Sequence, residues 1–185
     1  MRKVLVIGSG GAGKSTFARR LGRLLDIEVI HLDTLYWKPG WSEPAKDEWA
    51  EQVALLVRRD AWIMDGNYSG TFDIRVDACD TLIFLDMPRL VCLWRVLKRL
   101  VVYRHGTRPD MAAGCREKID RKFVLWVWNY PKTRRPKVLK LMREHAGSKR
   151  MIRLRSPAEA ERFLAAFEDS SGNGASLPGE MLRAG

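Results

Sequence analysis

KVLVIGSGGAGKST, residues 3–16, is the stretch that decides the fold. Its first five residues are an apolar, β-branched run of the kind that forms a buried parallel strand. The nine that follow fit G-x-x-x-x-G-K-[S/T], with Gly8, Gly13, Lys14 and Ser15 in register. Behind them Phe17, Leu21 and Leu24/Leu25 recur at helical spacing. Strand, glycine loop and helix in that order form the context of a phosphate-binding loop. Four glycines let the backbone bend so that several N–H groups point at one anion, and the helix adds its positive N-terminal end. Lys14 then reaches the β- and γ-phosphates, and the Ser15 hydroxyl ligates Mg²⁺. A nucleoside triphosphate site is therefore expected at Gly8, Ser9, Gly10, Gly11, Ala12, Gly13, Lys14, Ser15 and Thr16.

At 185 residues the chain is long enough for one domain with a substantial core, expected over residues 1–168. Residues 169–185 have the composition of a disordered tail. The N-terminus enters a strand at once, leaving no room for a signal peptide, and no apolar run approaches the roughly 20 residues of a membrane span. Cys79, Cys92 and Cys115 are odd in number and form no C-x-x-C pair, which argues for reduced thiols and against zinc or a disulfide frame. A cytoplasmic setting is the expectation.

Net charge is +11, unevenly spread. From Arg89 to Arg155 twenty Lys and Arg face only Asp110, Glu117, Asp120 and Glu144, a local balance of +16. One segment thus carries the whole excess and faces something anionic, either polyphosphate or nucleic acid.

An alternating β/α pattern runs along the chain. Strands are expected at 28–33, 61–65, 81–86 and 150–154 in addition to the first. Helices are expected at 42–59, 89–103, 116–129 and 137–145, and after a capping box at Ser156-Pro-Ala-Glu159. Pro131 and Pro136 bracket a basic turn. Five short apolar strands separated by helices imply a parallel sheet covered on both faces, with the site at the strands' C-terminal ends. Asp33, Asp65 and Asp86 are each expected to close a strand there, where a carboxylate holds a Mg²⁺ water or accepts a proton, or else caps a turn.

The glycine loop, Asp65-Gly66, Leu85-Asp86-Met-Pro88 and Arg95-x-x-x-Arg99 resemble the adenylate-kinase-like small-molecule kinases. HLDTLYWKPGW, WIMDGNYSGTFDIR, LIFLDMPRLVCLWRVLKR and KTRRP are similar to a bacterial branch of that superfamily labelled DNA topology modulation proteins. The likeness runs over roughly residues 3–167. It implies a P-loop NTPase three-layer sandwich of order 2-3-1-4-5, ATP and Mg²⁺, and a short lid at about 104–121. By the same resemblance Asp65 anchors the Mg²⁺ shell together with Ser15. Arg95 and Arg99 match lid-base arginines, and Arg104 and Arg108 lie in the lid, with Arg116 and Arg121 on its return. Their physical role is to neutralise charge spreading over the γ-phosphoryl oxygens.

Nucleoside-monophosphate kinases have Asp-Gly-Phe-Pro-Arg where this chain has Asp65-Gly-Asn-Tyr-Ser69, so the arginine that grips an acceptor phosphate is absent and Arg75 is the near substitute. Asp33 stands where hydroxyl-phosphorylating relatives place an acceptor-binding aspartate. Tyr36, Trp37, Trp41 and Tyr68 either make a flat aromatic acceptor pocket or pack beneath the helix. The aromatic run Phe123–Tyr130 either stacks bases or forms a hydrophobic helix face.

Lys14, Asp33, Asp65, Arg95 and Arg99 are accordingly the expected catalytic group of a kinase that transfers the γ-phosphoryl of MgATP. The acceptor would be a nucleoside, nucleotide or hydroxyl metabolite. The alternative is a nucleic-acid-associated ATP-binding protein affecting DNA topology. No membrane partner is expected, and the chain would act as a monomer or small homo-oligomer.

Overall fold

The computed structural model describes residues 1–102 and 120–172. β1 (Lys3–Gly8) leads through the glycine loop into α1 (Lys14–Leu25), then β2 (Val29–His31), a short α2 (Leu32–Tyr36) and α3 (Lys46–Leu56). β3 (Trp62–Asp65) is followed by a 3₁₀ turn at Ser69–Thr71, α4 (Phe72–Ala78), β4 (Thr81–Leu85) and α5 (Arg89–Val102). After residue 120 come α6 (Arg121–Thr133), α7 (Arg135–His145), β5 (Arg150–Leu154) and α8 (Pro157–Gly172).

The strands pair in parallel in the order β2-β3-β1-β4-β5. The sheet is wound on both faces by helices, with β1 at its centre. Alternation along β1 divides the core. Val4 and Val6 point into one cluster with Phe17, Leu21, Cys92, Val96 and Leu164, on the face covered by α1, α5 and α8. Leu5 and Ile7 point into the other, with Trp49, Val53, Val76, Tyr130 and Met142 from α3, α4, α6 and α7. Both faces of the central strands are dry, which is why they read as continuous apolar runs. Cys79 and Cys92 are buried free thiols, and burial pushes Cys79 up to about 11.

Several boundaries differ from the sequence reading, for local reasons. β2 ends at His31, because Leu32 turns into the core and the Thr34 hydroxyl donates to the His31 carbonyl at 2.7 Å. Asp33 therefore lies in the first turn of α2 and does not close a strand. α3 starts only at Lys46, since residues 38–42 close a tight turn in which Lys38 bridges Ser42. α6 begins at Arg121, capped by Asp120, whose Oδ1 accepts from Phe123 N at 2.7 Å. It runs on through Pro131, so no extended basic turn separates it from α7. The capping box before α8 is present: Ser156 Oγ accepts from Glu159 N at 3.1 Å and Glu159 accepts from Arg155 N at 2.7 Å. α8 continues to Gly172, past the expected boundary at 168. Arg104, Arg108, Cys115, Arg116 and most of the expected lid lie outside the described residues. Among the described residues no helix is long and apolar enough to cross a membrane.

Candidate active site

Gly8 ends β1 and Gly13 precedes α1, so the loop between them must reverse within four residues. Neighbouring helices press on it closely. At Gly11, which has φ +76°, a Cβ would stand 2.2 Å from the Cys92 carbonyl oxygen of α5. At Gly10 it would meet the Phe123 ring of α6 at 2.7 Å. Only glycine admits both the backbone conformation and this packing. Phe123 stacks on Trp126, with centroids 5.9 Å apart, and Val127 and Tyr130 are buried, so one side of the aromatic run in α6 packs inward. Leu125 and Trp128 remain exposed.

The Lys14 amine donates to the Gly8 and Ser9 carbonyls, each at 3.1 Å, and so lies over the loop. Desolvation holds its pKa below the ordinary lysine value. The charges of Asp33 and Asp65 oppose that shift, and Arg99 adds to it. These four groups therefore share one electrostatic neighbourhood. Arg95 Nη1 donates to the Ala12 carbonyl at 3.1 Å, which brings a guanidinium of α5 onto the loop itself. Asn67 clasps the loop from the other side. Its Nδ2 donates to Gly8 O at 2.8 Å, and its Oδ1 accepts from Gly8 N at 3.4 Å.

Asp65 is the last residue of β3, buried and in register with Val6 of β1 and His31 of β2. His31 Nδ1 stands 2.7 Å from Asp65 Oδ1 and fixes that carboxylate. Asp33 is held by the Tyr68 hydroxyl at 2.5 Å. Burial, then the Asp33 charge, pushes the Tyr68 pKa up, so its hydroxyl stays protonated. Tyr36, Trp37, Trp49 and Tyr68 form a continuous ring cluster with Trp41. Centroids are 4.4 Å apart for Tyr36–Tyr68 and 5.1 Å for Trp37–Trp41.

One cleft of about 1620 Å³ runs past the loop, Asp33 and the aromatic rings, while buried Asp65 and its partner His31 are not among the residues that wall it. Its walls include Gly10–Thr16, Asp33, Tyr36, Trp37, Trp41, Asn67, Tyr68, Arg95 and Arg99. The glycine loop, Arg95, Arg99 and Asp33 with its aromatic neighbours are thus brought together.

Besides Asp65, two sequence candidates stand apart from the cleft. Asp86 accepts from Arg135 Nε at 2.9 Å and Arg153 Nε at 2.8 Å, a two-arginine clamp that ties α7 and β5 to the end of β4. Arg75 has no exposed surface. Its guanidinium donates to the carbonyls of Gly66, Asn67, Tyr68 and Thr71 at 2.7–3.2 Å. It organises the 66–71 loop from within and is not the substitute for an acceptor-phosphate arginine. Sequence reasoning passed over His31 and Asn67. The signal for His31 was its place at the end of a strand whose neighbour ends in Asp65.

No protein-family model and no curated protein matches the chain. Three solved structures show a partial likeness to it. A sugar kinase from Janibacter sp. is 18% identical, covering 95% of this chain and 99% of its own, with a TM-score of 0.48. The deoxyadenosine kinase from M. mycoides, solved with dCMP and dCDP, is 13% identical over 92% of this chain and 97% of its own, with a TM-score of 0.47. A Chloroflexus aurantiacus protein assigned as a kinase is 13% identical over 91% of this chain and 98% of its own, with a TM-score of 0.48.

Proposed function

We propose that the chain is an ATP-dependent phosphotransferase that moves the γ-phosphoryl group of MgATP to a hydroxyl on a small acceptor. The observation that carries this reading is a single cleft lined by the glycine loop with Lys14, by Arg95 and Arg99, and by Asp33. A triphosphate and an acceptor hydroxyl need those groups within reach of one another.

The residues fit a magnesium-bearing triphosphate. At Gly10 and Gly11 the loop packs on α6 and α5 with no room for a Cβ, which fixes its backbone, and the Lys14 amine and Arg95 guanidinium lie on it as the cations a triphosphate needs. Ser15 in the first turn of α1 and Asp65, fixed by His31, would hold the Mg²⁺. Bound there, the ion would neutralise charge on the β- and γ-phosphates. In transfer the acceptor oxygen bonds to the γ-phosphorus while the bond to the β,γ-bridging oxygen breaks, releasing ADP. Asp33 takes the hydroxyl proton. Lys14, Arg95 and Arg99 balance the charge on the moving phosphoryl group.

Incubating the protein with γ-labelled ATP, Mg²⁺ and a panel of hydroxyl acceptors tests this. Transfer is expected, with Lys14→Ala lowering it by about two orders of magnitude or more at unchanged fold. Full transfer by Lys14→Ala, or failure of the wild type to bind ATP, overturns the reading.

A further inference from the structure

We infer that the acceptor is an unphosphorylated, hydroxyl-bearing ring compound that lies against the rings of Tyr36, Trp37, Trp41 and Tyr68, with Trp41 determining specificity. The inference rests on the phosphotransfer reading above and concerns the acceptor half of that cleft.

Trp41 supplies the first argument. It closes the tight turn at 38–42, donating from its backbone N–H to the Lys38 carbonyl at 3.1 Å, while Lys38 N donates to Ser42 O at 3.0 Å. Its φ is +65°, the left-handed region in which a bulky residue is strained. Gly40 beside it, at φ +78°, is the kind of residue that suits such a conformation. A glycine at 41 would keep the turn and relieve the strain. What tryptophan adds is an indole that lines the cleft and packs on Trp37 at 5.1 Å.

The second argument is continuity. From Trp41 the rings run through Trp37 and Tyr36 to Tyr68, whose hydroxyl holds Asp33. A ring laid on this wall presents its edge hydroxyl to Asp33. Aromatic faces hold nucleobases and the apolar faces of sugars alike.

Charge supplies the third. Between residues 33 and 73 the cleft is lined by the carboxylates Asp33, Glu43 and Asp73 and by no lysine or arginine. The cations that line it stand on α1 and on the α5–α7 segment. Arg75, two residues beyond Asp73, is consumed by loop carbonyls. A phosphate on the acceptor calls for a guanidinium fork, and this wall offers carboxylates in its place.

The test is titration of the full chain, loaded with Mg²⁺ and a non-hydrolysable ATP analogue, with adenosine, thymidine, glucose, myo-inositol and AMP. We expect at least one of the four unphosphorylated probes to bind tenfold or more tightly than AMP. Nucleoside against sugar or cyclitol binding distinguishes the two sources of such a ring. Trp41→Gly should weaken that probe at least tenfold, leave the affinity for the ATP analogue unchanged, and hold or raise Tm. Tighter binding of AMP, binding of none of the four, or undiminished probe binding by Trp41→Gly overturns the inference. So does a fall in Tm on Trp41→Gly, the signature of a merely structural indole. Failure of the wild type to bind the ATP analogue is a separate readout, and it strikes the phosphotransfer reading instead.

Discussion

The Tyr68 hydroxyl donates to Asp33 Oδ1 at 2.5 Å, joining two residues 35 positions apart in sequence. Tyr68 follows β3 and Asp33 opens α2, so the bond crosses from one strand's exit to the next. Because burial and the Asp33 charge raise the phenol's pKa, Tyr68 remains a donor throughout the working pH range. One carboxylate oxygen is thereby fixed before any acceptor arrives.

Tyr68→Phe keeps the ring in its cluster and removes only the donor. A hydrogen bond to a charged group contributes about 1.5–3 kcal/mol, so kcat should fall roughly 10- to 100-fold. The KM for ATP should not change. Steady-state kinetics with saturating ATP reads both quantities, and an unchanged kcat would show that the bond is structural.

Asp33 and Asp65 should separate under the same conservative substitution. Asp33→Asn removes a base that acts only in the transition state, so kcat drops by about 10²–10⁴ with ATP affinity preserved. Asp65→Asn leaves the base in place but weakens the Mg²⁺ shell, so activity should be recovered in part by raising Mg²⁺. Magnesium titrations of the two variants check this. Identical Mg²⁺ curves for both would refute the division of roles.

The sheet and the glycine loop were legible because their signals are local. Val4–Ile7 is an unbroken apolar run, and Gly8, Gly13, Lys14 and Ser15 lie within eight residues of one another. The pairing of His31 with Asp65 was hidden, since it exists only because β2 and β3 lie side by side in register. The same holds for Asp86, whose arginine partners come from α7 and β5. Asp33 was read at a strand end because Glu28–Asp33 looks extended. Burial of Leu32 and the Thr34–His31 bond end the strand two residues earlier. Arg75 misled for a different reason. Nothing in a sequence shows that four carbonyls of one loop converge on a point.

Arg75→Met removes the donor while approximately keeping the length of the side chain. Four carbonyls, two of them in fully buried bonds, then lose their partner, and each one left unsatisfied in the interior costs about 1–3 kcal/mol. The urea midpoint should fall accordingly. Because the 66–71 loop carries Asn67 and Tyr68, activity should fall even where the variant remains folded. A variant as stable as wild type would mean that water can enter and satisfy the loop.

The basic stretch from Arg89 to Arg155 offers the remaining choice, between polyphosphate and nucleic acid. Arg95 is bonded to the glycine loop and Arg99 acts on Lys14, so part of that charge is already gathered at the loop. Arg135 and Arg153 share the Asp86 carboxylate, which offsets one of their two charges. Duplex DNA should therefore bind weakly. Its salt slope should reflect few phosphate contacts, at about 0.9 per contact, and MgATP should compete with it. A nucleic-acid role requires the reverse: tight binding at physiological salt, a steep slope, and losses concentrated at Lys132, Arg134 and Lys137. Measuring duplex affinity at two salt concentrations, with and without MgATP, separates the two. Submicromolar binding at physiological salt that ignores MgATP would assign the basic stretch to nucleic acid and leave the kinase reading with only the glycine loop, Asp33 and the lid-base arginines.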